Sequence, residues 1–341
     1  MAIFRSDDPL SHPKYDVVAI GNAIVDILAQ ADDAFIESIG VAKGSMQLMF
    51  SPEDADALYA KMGPGREVSG GSAANTVAGI AALGGRTAFI GQVADDQLGE
   101  VFAHDIRAAG VAFDTAARPG QPTTARCLIF VTPDGQRTMN TYLGASQFLP
   151  EAALDLSVIE DAAILYLEGY LWDPEEPRAA MRAAIEAARK AGRKVAFTLS
   201  DVFCIGRHGG DFRSPIADGL IDILFANEGE LTALAETDDF EAAAVKLSAQ
   251  VPTLVVTRGA SGACAIQHGT RAEVAAEPIE RVIDTTGAGD LFAAGFLHGQ
   301  AQGKGLEQSL RLGAICAAEI ISHFGARPNV DMKALAASKL G

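Results

Sequence analysis

The segment Asp284-Thr285-Thr286-Gly287-Ala288-Gly289-Asp290 holds the residue types needed to move a proton beside a bound anion. The small residues Gly287, Ala288 and Gly289 let the backbone approach a ligand closely. The apolar run from Leu291 to Phe296 that follows reads as a helix. The amide N–H groups before it then converge at a helix N-terminus, where the dipole favours negative charge. A carboxylate at that place would compete with a bound phosphate. Asp290 makes sense there if it faces an incoming hydroxyl and takes its proton while the amides hold a transferring phosphoryl group. The plain alternative is an aspartate that only caps the helix. Two other phosphate loops fail on spacing. In a dinucleotide fingerprint Phe292 would occupy the third glycine position, and in a P-loop built on Gly303-Lys304 the first glycine is His298 and the Ser or Thr is Gly305.

Such a loop needs a rigid frame. Residues 17–20, 87–93, 164–167, 194–198, 223–226 and 254–257 read as buried strands. Helical patterns lie between them at 72–83, 98–109, 177–191 and 228–235, and 281–283 reads as a short strand leading into the Asp284 loop. Alternation of this kind predicts an α/β fold with a mainly parallel central sheet covered on both faces. Ser51-Pro52-Glu53-Asp54 is a helix start, with a capping serine, proline at the first position and acid in the first turn. Two regions break the alternation. Residues 24–31 and 46–50 lack a full crossover helix between them, and 127–132 and 137–142 flank the hairpin signal Pro133-Asp134-Gly135. They predict a small antiparallel β-lid, formed by about 24–50 and 123–143, inserted into one domain spanning 1–341. The sequence contains no internal repeat and no clear linker.

Composition removes several function classes. Lys and Arg total 27 against 44 Asp and Glu, giving a formal charge of −17. Such a surface repels a polyphosphate backbone, so no nucleic-acid partner is expected. Cys127, Cys204, Cys264 and Cys316 are widely spaced and read as reduced thiols. The stretch Met1 to Lys14 is polar and lacks the apolar core of a signal peptide, and no apolar run is long enough to cross a bilayer. The expected compartment is the cytoplasm, with no membrane partner. No G-x-S-x-G elbow surrounds Ser261, which argues against a hydrolase, and no pair of histidines has metal-ligand spacing.

The 284–295 segment, D-T-T-G-A-G-D-x-F-x-x-G, resembles the C-terminal signature of the PfkB (ribokinase-like) kinase family. Ser69-Gly70-Gly71-Ser72-Ala73-Ala74-Asn75-Thr76, continuing to Gly84-Gly85 and Gly91, is similar to the family's N-terminal signature, and Asn227-Glu228-Gly229-Glu230 to its N-x-x-E motif. The three occur in family order, and the likeness covers about Tyr15 to Arg327. It implies a ribokinase-like three-layer α/β/α core with a β-lid that closes over the acceptor. It also implies ATP and Mg²⁺ as reactants, with a potassium ion as a further candidate. Asp290 would be the base, and Gly287, Ala288 and Gly289 the anion hole. Asn227 and Glu230 would order Mg²⁺ through water, and the strand-end loop with Thr257, Gly259 and Gly262 would receive the nucleotide. Asp284, Thr286 and 320–325 fall where many members hold potassium.

Gly21-Asn22-Ala23-Ile24-Val25-Asp26-Ile27 resembles the N-terminal strand of the adenosine kinases. Asp26 could accept two sugar hydroxyls, because an ionised carboxylate offers two acceptor oxygens; the alternative is a charge on the lid surface. Asn22, Gly70, Gly71 and Asn75 would complete the sugar pocket. Ile24, Met46, Leu48 and Met139 would supply the apolar slot a base requires. Tyr170 and Phe203 fall in segments similar to base-contacting loops, and Arg137 is similar to a lid arginine that reaches the transferring phosphate. Ser200-Asp201 departs from the pattern, standing where some adenosine kinases carry Asn. The resulting expectation is an ATP-dependent kinase acting on a primary hydroxyl, first the 5′-hydroxyl of adenosine or a related nucleoside. Alternatives are a sugar kinase on the same scaffold and a catalytically silent nucleoside-binding protein. The partner is a small-molecule substrate, and a monomer or homodimer is expected.

Overall fold

A computed structural model describes residues 13–341. Of the polar stretch Met1 to Lys14, all but Pro13 and Lys14 lies outside the described residues. In chain order the strands are β1 Tyr15–Ile20, β2 Ile24–Gln30, β3 Met46–Met49, β4 Gly65–Gly70, β5 Thr87–Ile90, β6 Val111–Ala112, β7 Ala125–Val131, β8 Arg137–Tyr142, β9 Ala162–Glu168, β10 Lys194–Thr198, β11 Ile223–Asn227, β12 Thr253–Thr257, β13 Ala263–Gln267 and β14 Thr270–Val274. The helices are α1 Asp33–Ser38, α2 Pro52–Tyr59, α3 Ser72–Ala82, α4 Gln97–Ala108, α5 Leu156–Glu160, α6 Glu175–Lys190, α7 Val202–Ala217, α8 Glu228–Ala235, α9 Phe240–Ser248, α10 Ala288–Ala301, α11 Leu306–Ile320 and α12 Met332–Leu340.

Nine strands form the main sheet in the order β14-β13-β12-β11-β10-β9-β1-β5-β6. It is parallel from β12 to β6, and the two pairings at its other edge, β12–β13 and β13–β14, are antiparallel. The reason lies in the strand composition. Every residue of β1 is buried, and its side chains alternate between two cores. Val17 and Ala19 join Tyr166, Phe225 and Phe296 on the face covered by α3, α10 and α11. Val18 and Ile20 join Leu165, Leu167, Phe197 and Trp172 on the face covered by α6 and α7. Each Val, Leu, Ile or Phe among them, fully buried, contributes roughly 1.5–3 kcal/mol, and two covered faces forbid a register slip.

The lid is a five-stranded sheet in the order β3-β8-β7-β2-β4. The expectation of a purely antiparallel lid is corrected: β2 pairs parallel to β7 and β3 parallel to β8, while β2–β4 and β7–β8 are antiparallel. Parallel pairing arises because long excursions, not tight turns, bring β7 back beside β2 and β8 beside β3. The short helix α1 occupies part of the gap between β2 and β3. The expected strand at 281–283 is also corrected. That segment has no strand partner; instead the Ile283 N–H donates to the Ile321 carbonyl at 2.8 Å, just past the end of α11. All four cysteines are buried and unpaired. Among the described residues no helix is long and apolar enough to cross a membrane.

Candidate active site

The carboxyl ends of the parallel strands all open on one side of the main sheet, which is where open α/β sheets bind ligands. There a cavity of about 640 Å³ is lined by Asn22 after β1, Glu168 ending β9, Thr198 ending β10, Asn227 ending β11 and Thr257 ending β12. The N-termini of α3 and α10 enter from below, and β2, β3 and β8 of the lid form the roof.

Asp290 sits in the first turn of α10, at the centre of this floor. Ser72 Oγ donates to its Oδ1 at 2.6 Å and Asn75 Nδ2 to its Oδ2 at 2.9 Å. The apolar sequence of α3 buries both donors' helix against α10, so the two motifs far apart in sequence are clamped together. Burial raises the Asp290 carboxyl above its ordinary range, and the bonds from Ser72 and Asn75 and the charge of Arg327 oppose the rise. The outcome is a carboxylate more basic than one in water, held by two donors. Beside it, Gly287 caps α10 in the left-handed region at φ 77°, and Gly287, Ala288 and Gly289 line the cavity. A Cβ on Gly289 would meet no protein atom within 4 Å, so it would project into free cavity space. The Ala288 N–H donates to the Thr285 carbonyl at 3.2 Å, which leaves the Gly287 and Gly289 amides to hold an anion while a hydroxyl proton is removed by the basic carboxylate beside them.

Asn22 is anchored by a residue that the sequence reading did not single out. Glu168 is fully buried, and its Oε1 accepts from the backbone N–H and Nδ2 of Asn22, both at 2.7 Å. Its Oε2 accepts from the Ala73 N–H at the start of α3 at 2.8 Å. Burial pushes this carboxyl up to about 7 against the pull of those donors. Ser146 Oγ completes the cluster by donating to Asn22 Oδ1 at 2.8 Å. Gly71, at φ 98°, passes so close to the Asn22 carbonyl that a side chain would strike it. Arg327 was also missed. It donates to the side chains of Asn75 and Ser69, and its charge holds Asp26 down while burial pushes that carboxyl up to about 6.

The structure brings most of the expected site residues together. Asn22, Asp26, Gly71, Asn75, Tyr170, Phe203, Asn227, Glu230, Thr257, Thr286, Gly287, Ala288, Gly289 and Asp290 line the cavity. Gly70 lies behind Asp26, whose carboxylate packs against it where a side chain would stand. Gly259 and Gly262 lie in the turn between β12 and β13, outside the lining. Arg137 and Asp284 are outside it as well. They form a buried ion pair, with Nη2 and Oδ2 at 2.5 Å. Asn227 and Glu230 form a reciprocal capping box on α8: the Glu230 N–H donates to Asn227 Oδ1, and Glu230 accepts from the Asn227 N–H and Nδ2. Burial raises Glu230 to about 7. Tyr170 is tied to Ser200 by its N–H and hydroxyl, each at 3.2 Å, and Ser200 carries the uncommon φ of 71°. Phe203 is 71 % exposed at the cavity mouth, with Met46 at 55 % and Leu48 at 41 %.

Comparison with known proteins agrees with this geometry. The family profile described as pfkB family carbohydrate kinase matches residues 35–333. An adenosine kinase structure from Sinorhizobium meliloti superposes with a TM-score of 0.89 at 48% identity, over 95% of this chain and 99% of that one. A probable sugar kinase from Rhizobium etli CFN 42 gives 0.90 at 44% identity, over 96% and 98%. A fructokinase from Klebsiella pneumoniae is 31% identical over 245 residues, 70% of this chain and 80% of the relative. A family match over most of the chain, on a fold whose strand ends converge on Asp290, makes this protein a phosphotransferase of the pfkB carbohydrate kinase family.

Proposed function

We propose that the protein transfers the γ-phosphoryl group of ATP to the 5′-hydroxyl of adenosine or a closely related nucleoside. The observation that carries this reading is the apolar mouth of the cavity. Met46, Leu48 and Phe203 are large and exposed there, above a floor of Asn22, Asp26, Asn75 and Asp290. A purine covers such surface, and a free sugar cannot. The 48% identity to the Sinorhizobium meliloti adenosine kinase supports the same acceptor. Asp26 and Asn22 would bind the ribose hydroxyls, which leaves the 5′-hydroxyl towards Asp290. Asp290 would take its proton, and the loop Gly287-Ala288-Gly289, through the free amides of Gly287 and Gly289, would hold the transferring group.

Magnesium fits the donors present. Among the described residues no cluster of three or more His, Cys, Asp or Glu could cage a metal. Magnesium in kinases is usually held by one or two carboxylates, water and the substrate phosphates. Glu230, carrying two accepted bonds and facing the cavity beside Asn227, offers such a carboxylate through water. When bound, the ion neutralises charge developing on the phosphoryl oxygens.

A specific observation favours a second reading, a sugar kinase. Glu168 and Asn22 form a dense polar floor suited to several hydroxyls, and the relatives include fructokinases. An ADP-release assay across adenosine, ribose and fructose separates the two. Adenosine is expected to give the highest kcat/KM by a wide margin; a free sugar as the best acceptor would overturn the nucleoside reading.

A further inference from the structure

The resemblance to potassium-binding family members placed a monovalent cation beside Asp284, Thr286 and 320–325. The side chains there do not fit one. Asp284 is 3 % exposed at its side chain, and its carboxylate accepts two backbone hydrogen bonds and lies against one guanidinium. Its Oδ1 accepts from the Thr286 N–H at 3.0 Å, and its Oδ2 from the Gly325 N–H at 3.1 Å. The Arg137 guanidinium, 7 % exposed at its side chain, lies 2.5 Å from the same Oδ2. The Ile321 carbonyl is taken as well, by the N–H groups of Ile283 and Asp284. A potassium ion needs oxygens turned towards it; here each carboxylate oxygen already accepts a backbone N–H, and Arg137 Nη2, which makes no hydrogen bond of its own, lies against Oδ2 as a bare cation. It would also sit beside a full positive charge in a buried place, where screening by water is weak.

We propose that the Arg137 guanidinium takes the place of the potassium ion at Asp284, so that phosphoryl transfer by this protein is independent of potassium. Arg137 belongs to the lid strand β8, and Asp284 begins the loop that ends in Gly287, Ala288 and Gly289. A cation carried by the lid therefore orders the loop that presents the anion-binding amides. Phe324, its ring centre 6.0 Å from the guanidinium carbon, offers the face expected beside such a charge. Arg137 is in this account a positioning residue that acts through Asp284 and Thr286. The inference rests on the kinase assignment and not on the choice of acceptor.

The test compares potassium, sodium and tetramethylammonium chloride at constant ionic strength, with two readouts. The first is the initial rate with the best acceptor. Wild type is expected to vary by less than about twofold, whereas Arg137→Met should lose about tenfold or more without potassium and recover part of it when potassium is added. Arg137→Lys, which keeps a charge on the lid, should stay insensitive. The second readout is the melting temperature without substrates. Potassium should raise it over tetramethylammonium in Arg137→Met and not in wild type, as a ligand binding only the folded variant must. A wild-type rate that rises about tenfold with potassium, a potassium-specific rise in wild-type melting, or an active Arg137→Met indifferent to potassium would overturn the inference. If Arg137→Met does not fold, the wild-type salt series and Arg137→Lys still decide. If no acceptor is phosphorylated, the acceptor reading fails and the melting arm still reports on the cation.

Discussion

Replacing Glu168 by alanine removes the acceptor for three buried donors: the Asn22 N–H, the Asn22 Nδ2 and the Ala73 N–H. A buried donor left without a partner costs roughly 1–3 kcal/mol, so three cost at least ~3 kcal/mol, and ~5 kcal/mol if water relieves only part of the loss. An unfolding entropy of about 2.1 cal/mol/K per residue over 341 residues gives ~0.7 kcal/mol/K. The melting temperature should therefore fall by about 4–7 °C. Glu168→Gln keeps one carbonyl for Asn22 but turns its amide against the Ala73 N–H. It should lose about a third as much, because one donor of three is orphaned. The two variants also differ from wild type in pH dependence. Glu168 is raised from 4.5 to about 7 by burial, so the folded state holds a proton that the unfolded state has released. Its contribution is fully present below about pH 4.5 and is lost as pH rises through about 7. A shift of that size amounts to roughly 3 kcal/mol between the limits. Glutamine does not titrate, whereas Asp26 and Glu230 titrate alike in both proteins and cancel in the comparison; Asp290, whose charge raises Glu168, is raised further by an ionised Glu168 and so adds to the decline in the same direction. The stability of wild type relative to Glu168→Gln should thus decline between about pH 5 and about pH 8. Differential scanning calorimetry and urea unfolding at both pH values measure it. An alanine variant that melts within about 1 °C of wild type, or a wild-type to glutamine difference that does not change with pH, would refute the assignment of Glu168 as the anchor.

Gly289→Ala should fold and melt like wild type, because its Cβ meets no protein atom, and should lose most of its kcat, because that methyl enters the space beside the anion-binding amides. Calorimetry alongside steady-state rates checks both halves. Asp26→Ala should raise the acceptor KM far more than the ATP KM, since each charge-assisted hydrogen bond lost is worth roughly 1.5–3 kcal/mol. Wild type should prefer adenosine to 2′-deoxyadenosine, and the variant should lose that preference.

What the sequence disclosed follows from the range of the interactions. The central strands were legible because burial on both faces writes a continuous apolar run, as in β1 and β9. Helix α8 was placed at 228–235, its observed bounds, because Asn227 and Glu230 cap it locally. Strand β4 was missed: Gly-Arg-Glu-Val-Ser-Gly has little strand character, and its pairing with β2 holds it extended. The β13–β14 hairpin was missed too, although His268-Gly269 marks its turn through a positive φ at both residues. At the site, the glycine-rich loop and Asp290 were readable as one contiguous motif. Glu168 and Arg327 were not, because their partners lie 146 and 252 residues away. Glu168 did leave a trace, a lone carboxylate closing the apolar run of β9. Arg327 left none.

The role of Asp290 is tested most directly by Asp290→Asn in a single-turnover reaction with ATP and adenosine, measured together with ATP binding. Asparagine keeps the shape and can still meet Ser72, but it cannot take a proton. ATP should bind as before, and the phosphoryl-transfer rate should fall on the order of 100- to 10,000-fold. A variant that retained more than about a tenth of the wild-type rate would contradict the account, since removal of a general base is not so mild.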